Sequence, residues 1–159
     1  MGLSASVIAD HFTLLGALPT GLTLERVCSL VGVSTRDEKI ALGEAALKID
    51  PKASALRVNN DYHGLSVTNL DDAVSPGALF RATAEHLVDE SAKMVSLIEK
   101  FTGPATEVVI AGGWVKNPMI ASAKKKQFGS YKVSDATEAG ATGAAQFAGI
   151  AAGILKLRS

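Results

Sequence analysis

One stretch constrains this chain more than any other: Glu107-Val108-Val109-Ile110-Ala111-Gly112-Gly113, continuing as Trp114-Val115-Lys116-Asn117-Pro118. Val108, Val109 and Ile110 form a short β-branched run, which predicts a strand buried on both faces. Two glycines stop it. Asn117 is a good helix N-cap, and Pro118 at the first helical position gives up an N–H that has no partner there. The segment therefore predicts a strand, a glycine turn and a helix. In that arrangement a ligand can approach bare backbone and meet the positive end of a helix.

Strand, glycines and helix are common to many α/β proteins, so the rest of the pattern matters. A second glycine-rich stretch follows, Glu138-Ala139-Gly140-Ala141-Thr142-Gly143-Ala144-Ala145. Taken with Ala111-Gly112-Gly113 and Asn117, it resembles the C-terminal domain of the FGGY carbohydrate kinases. The resemblance covers Ser75 to Gly153, is looser from Gly21 to Asp50, and is poor in between. A Gly-Glu-Arg-x-Pro signature common in that family has no counterpart here. The resemblance implies a ribonuclease-H-like, actin-like ATPase domain with a mixed sheet and helices on its faces. It also implies that the Gly112-Gly113 turn and Asn117 border the adenosine of ATP, with the helix carrying Gly140 and Gly143 returning alongside.

Composition narrows the alternatives. The 159 residues suffice for one domain with a core, and the formal net charge is zero. Neither a nucleic-acid surface nor an acidic tail is expected from that balance. Cys28 is the single cysteine. It has no partner for an internal disulfide, which fits a reducing, cytoplasmic compartment, and Val27, Leu30 and Val31 around it predict buried filler. Met1-Gly2-Leu3-Ser4 lacks the pattern of a signal peptide. The apolar stretch from Ala139 to Leu155 is shorter than the roughly 20 residues a membrane span needs, and predicts a soluble, largely buried helix.

In chain order, Asp10 to Gly16 predicts a strand in an edge segment spanning residues 1–20. Residues 22–50 read as a helical insertion: a helix from Thr23, with Thr23 as cap, and a second from Ser34 to Ile49 with Ser34 and Asp37 as a capping-box pair. Leu56-Arg57-Val58 and Leu65 to Thr68 predict a hairpin whose connector holds Tyr62 and His63. Ser75-Pro76 opens the longest helix, with Phe80, Ala84, Leu87, Ser91, Met94, Ile98 and Phe101 as one stripe and Arg81–Glu85 and Asp89–Lys93 as exposed pairs. Lys124-Lys125-Lys126 predicts a solvated last turn, and Tyr131 to Ser134 a last strand.

The resemblance carries the functional expectation. It implies an ATP-binding C-terminal domain of a kinase that transfers the γ-phosphate to a sugar hydroxyl, with pentuloses such as xylulose frequent substrates in the family. Sugar and Mg would be held mainly by an N-terminal domain not contained in this sequence. No Asp-x-Gly-Thr phosphate loop and no recognisable base occur, so no catalytic residue is assigned and the chain alone is expected to be inactive. Met1 to Ala9 ahead of the first strand reads as a chain cut at a domain boundary. On the residues alone Asn117 serves equally as a plain cap, and Gly140, Gly143 and Ala144 as small residues for close helix packing. An alternative reading is a non-enzymatic actin-like module whose exposed cleft face binds a protein partner; separately, that face, without its partner domain, is a surface on which a second copy could dimerise. A dinucleotide-binding domain is disfavoured, since the Gly-x-Gly-x-x-Gly fingerprint and its acidic partner are missing.

Overall fold

The computed structural model describes residues 2–5, 12–51, 55–61, 64–71, 74–136 and 138–156. Tyr62, His63 and the start of the first expected strand, Asp10 and His11, lie outside them.

The core is built by helices around α3 (Pro76–Thr102). Ser75 caps it, accepting from Ala78 N through its hydroxyl at 3.2 Å, with Pro76 in the first turn as expected. The first half of its apolar stripe is buried: Phe80, Ala84 and Leu87 are fully inaccessible. Against it pack Leu24, Val27 and Cys28 of α1 (Thr20–Leu30), Leu42 and Ala46 of α2 (Arg36–Leu47), and Met119, Ile120 and Ala123 of α4 (Pro118–Phe128). Gly77 permits the closest approach, since a Cβ there would sit 3.4 Å from the α2 backbone at Ala45 and Ala46. Beyond Val88 the stripe reaches the surface, and Phe101 is exposed. Cys28 is buried filler, and that burial pushes its thiol pKa up.

Local signals place the helix starts to within a few residues. α1 begins three residues before Thr23, whose hydroxyl turns back to donate to the Pro19 carbonyl at 2.8 Å instead of capping. At α2 the cap is Thr35, one residue after Ser34. Glu38 completes the box by accepting from Thr35 N and Ser34 N, each at 2.9 Å. Those donors hold the Glu38 carboxyl down to about 2. On α3, Lys93 pairs with Glu90 at 2.6 Å and not with Asp89. Arg81 does pair with Glu85, at 3.1 Å, but it is no solvated surface residue. Its guanidinium also donates to the Ala46 and Ile49 carbonyls, satisfying the end of α2.

The strands do not merge into the expected mixed sheet. Among the described residues they form three separate two-stranded ladders. β1 (Gly2–Ala5) pairs antiparallel with β2 (Phe12–Leu15), and β3 (Arg57–Asp61) with β4 (Gly64–Thr68). β5 (Val109–Ile110) and β6 (Lys132–Val133) form a short parallel ladder. The Asn60 N–H of β3 donates to His86 Nε2 of α3 at 3.2 Å, tying the hairpin to that helix. Val109 is 56% exposed while Ile110 is buried, so β5 is buried on one face only.

The last helix, α5 (Ala139–Ala151), departs furthest from expectation, because it buries no residue at all. Its apolar character comes from alanine, which raises hydropathy without supplying side chains long enough to reach a core. Phe147 and Ile154 remain exposed. Among the described residues no helix is long and apolar enough to cross a membrane.

Candidate functional site

The glycine turn opens on a cleft of about 910 Å³. Pockets for small organic ligands typically measure 300–1,000 Å³. One wall is the turn itself, Ala111 to Asn117. The opposite wall is the start of α5, with Glu138, Ala139 and Gly140, together with Ser134 and Asp135 after β6. A third side comes from α1 and α2, through Glu25, Arg36, Lys39 and Ile40. Four residues singled out by sequence, Gly112, Gly113, Asn117 and Gly140, thus share one cleft. Gly143 lies one turn further along α5, outside its lining.

The two glycines of the turn differ in what holds them. Gly112 has φ +107°, a conformation that L side chains rarely adopt. Gly113 opens a 3-10 turn, Gly113–Lys116, and a Cβ built on it would meet nothing within 4 Å. The missing side chain therefore leaves space on the cleft side and fills no packing need. Gly140 and Gly143 are open in the same way, so close helix packing does not explain them within this chain.

Asn117 is placed differently. It is 4% exposed, and its carboxamide is occupied on both sides. Oδ1 accepts from Met119 N at 3.1 Å and Ile120 N at 3.3 Å, capping α4, while Nδ2 donates to the Lys39 carbonyl at 2.8 Å. The N-terminus of α4 is thus already satisfied from within. The N-terminus of α5 has no side-chain cap, and its first residues line the cleft.

Residues that sequence inspection did not single out complete the cleft. Lys39 Nζ lies 5.7 Å from the centre of the Trp114 ring and 2.6 Å from Glu25 Oε2. The Trp114 ring in turn leans on Phe80, centroids 6.0 Å apart at 36°, so the turn is seated directly on the core. No local spacing signals these contacts, since α2 and the turn are about 75 residues apart. The charges balance: Arg36, Lys39 and Lys116 face Glu25, Asp135 and Glu138. Among the described residues no group of three His, Cys, Asp or Glu is disposed to hold a metal ion. Lys124 is half-buried and its pKa is lowered by that burial, so only Lys125 and Lys126 make the solvated last turn of α4. A smaller recess of about 220 Å³ lies between α3 and β3, lined in part by Arg57, Arg81, Glu85 and His86.

The fold matches part of two solved xylulose kinases. That of Bifidobacterium adolescentis superposes with a TM-score of 0.60 at 21% identity, over 84% of this chain and 28% of that one. That of Rhodospirillum rubrum gives 0.57 at 14% identity, over 65% of this chain and 23% of that one. At such identities the likeness is one of fold. The chain spans about a quarter of the length of these enzymes. No protein-family model matches it, and comparison with curated proteins finds no match.

Proposed function

We propose that this chain is the ATP-side, C-terminal domain of an FGGY carbohydrate kinase, with the adenosine of the nucleotide seated over Ala111, Gly112 and Gly113. The observation that carries the reading is the glycine turn. It ends a parallel strand, opens on a ligand-sized cleft, and leaves space where a Cβ at Gly113 would stand. Ligands of open α/β folds gather at the carboxyl ends of parallel strands, which is where this turn lies. The fold shared with xylulose kinases supports the same assignment, and with it a ribonuclease-H-like ancestry of the domain.

The charge pattern chooses the end of the nucleotide. A triphosphate needs an excess of positive charge around it, and this cleft has as many carboxylates as cations. The neutral nucleoside suits it better. The open amides at the start of α5 reach toward the first phosphate, and the γ-phosphate, Mg and the sugar belong to an N-terminal domain. In this reading Asn117 does not touch adenine through its occupied amide. It fixes the turn that does. Transfer of the γ-phosphate to a sugar hydroxyl, a pentulose by family, would occur in the two-domain protein, and this chain alone should bind nucleotide weakly without turnover.

Gly113→Val separates site from scaffold. The added side chain meets no protein atom within 4 Å of its Cβ, so the unfolding midpoint should stay close to that of the wild type. Affinity for ADP, measured calorimetrically, should fall at least tenfold. Unchanged ADP affinity in the folded variant would remove the turn from the site. The second reading, a protein-binding module, rests on the unburied face of α5, and absence of any ADP binding by the wild type would favour it.

A further inference from the structure

The strongest unexplained feature beside the cleft is a glycine in the middle of a helix. Gly43 lies on α2, and in a helix interior glycine is a much poorer helix former than alanine. A Cβ at Gly43 would stand 2.5 Å from Asn117 Oδ1, 2.7 Å from its Nδ2 and 2.9 Å from its Cγ. The amide of Asn117 therefore occupies the place of the missing side chain. Normally a side-chain end that close could rotate away. This one is held by three hydrogen bonds, two to the start of α4 and one to the Lys39 carbonyl a turn earlier on α2. It is buried, so leaving would strand those groups without water to replace it.

We propose that Gly43 and Lys39 of α2 are positioning residues for the nucleotide turn, acting through Asn117. The inference rests on the nucleotide reading above and extends it to a helix 70 residues away in sequence. The chain of contacts is short. Asn117 N donates to the Trp114 carbonyl at 3.0 Å, and Val115 N to the Gly112 carbonyl at 3.3 Å, so the backbone of Asn117 closes the 3-10 turn that begins at Gly113. Lys39 grips the same turn twice. Its carbonyl holds the Asn117 amide, and its ammonium lies over Trp114 while paired to Glu25 of α1. Displacement of the Asn117 amide thus moves Gly112 and Gly113 relative to α1 and α2, the other side of the cleft. No side chain at Gly43 need approach the nucleotide for this to occur.

The test uses three variants of the whole chain, with ADP as the probe and the backbone amide resonances of Gly112 and Gly113 as a second readout. Gly43→Ala should shift both resonances and weaken ADP at least tenfold. Asn117→Ala removes all three atoms that a Gly43 Cβ would meet, Oδ1, Nδ2 and Cγ. The double variant Gly43→Ala/Asn117→Ala should therefore bind ADP within about twofold of Asn117→Ala alone, a rescue that mere loss of helix stability would not give. If Gly43→Ala does not fold, recovery of folding in the double variant upholds the proposal, and failure of the double variant to fold overturns it. Unchanged Gly112 and Gly113 resonances in a folded Gly43→Ala overturn it, as does a double variant in which the two losses multiply. A wild type that binds no ADP refutes the nucleotide reading alone. The resonance shifts then still decide the coupling, upheld if they move in Gly43→Ala and overturned if they do not.

Discussion

Phe80→Ala should destabilise the chain by about 3–5 kcal/mol, the usual range for removing a fully buried aromatic ring. Phe80 has no accessible surface, and it sits where α1, α2 and α4 converge on α3. Collapse around the void is opposed from one side by Trp114, whose ring leans on Phe80 and is itself tied through Lys39 to Glu25. For a chain of this size the midpoint should fall by roughly 6–20 °C in a thermal melt. Because Trp114 is the one tryptophan, its fluorescence should also change in the folded variant. A loss below about 1 kcal/mol would mean that the ring is not the centre of the core.

Asn117→Ala should cost about 1–3.5 kcal/mol, although it removes only one small amide. Loss of a cap contributes about 0.5–2 kcal/mol. Loss of the Nδ2 hydrogen bond to the half-buried Lys39 carbonyl adds about 0.5–1.5 kcal/mol. Asn117→Ser should recover part of the first contribution and none of the second, so its denaturant midpoint should lie between those of the wild type and the alanine variant. Equal midpoints for alanine and wild type would show that neither hydrogen-bond set matters. A serine variant as damaged as alanine would show that the cap contributes nothing.

What was legible in the sequence was local. Ser75-Pro76 and Asn117-Pro118 announce helix starts because a cap and its proline act within one turn, and both start where expected. The 56–68 hairpin and the strand-glycine-helix order were equally readable, because turn chemistry is carried by neighbouring residues. Long-range partners were not. Val108-Val109-Ile110 looks like a doubly buried strand, yet whether another strand covers Val109 depends on where the β3–β4 hairpin goes. In the fold that hairpin is tied to α3, where Asn60 bonds His86. The stretch from Ala139 to Leu155 looks buried because hydropathy counts alanines without saying what they face. Arg81 was read as surface because an i,i+4 partner is visible in sequence and the α2 carbonyls it caps are not.

The cleft followed the same division. Gly112, Gly113, Asn117 and Gly140 come together as the pattern suggested, while the wall built by Glu25, Arg36 and Lys39 had no signal of its own. One signal was present and not used. Gly43 interrupts an otherwise good helix former, and a mid-helix glycine asks what stands against it. The answer is the amide of Asn117.

The most direct test of the nucleotide assignment is an amide chemical-shift titration of the chain with ADP. The account predicts saturable shifts concentrated in residues 111–117 and 138–144, the glycine turn and the first turns of α5, with the largest at Gly112, Gly113 and Gly140. Shifts clustering elsewhere, for example around the smaller recess of Arg57, Arg81 and His86, or no shifts at millimolar ADP, would contradict it.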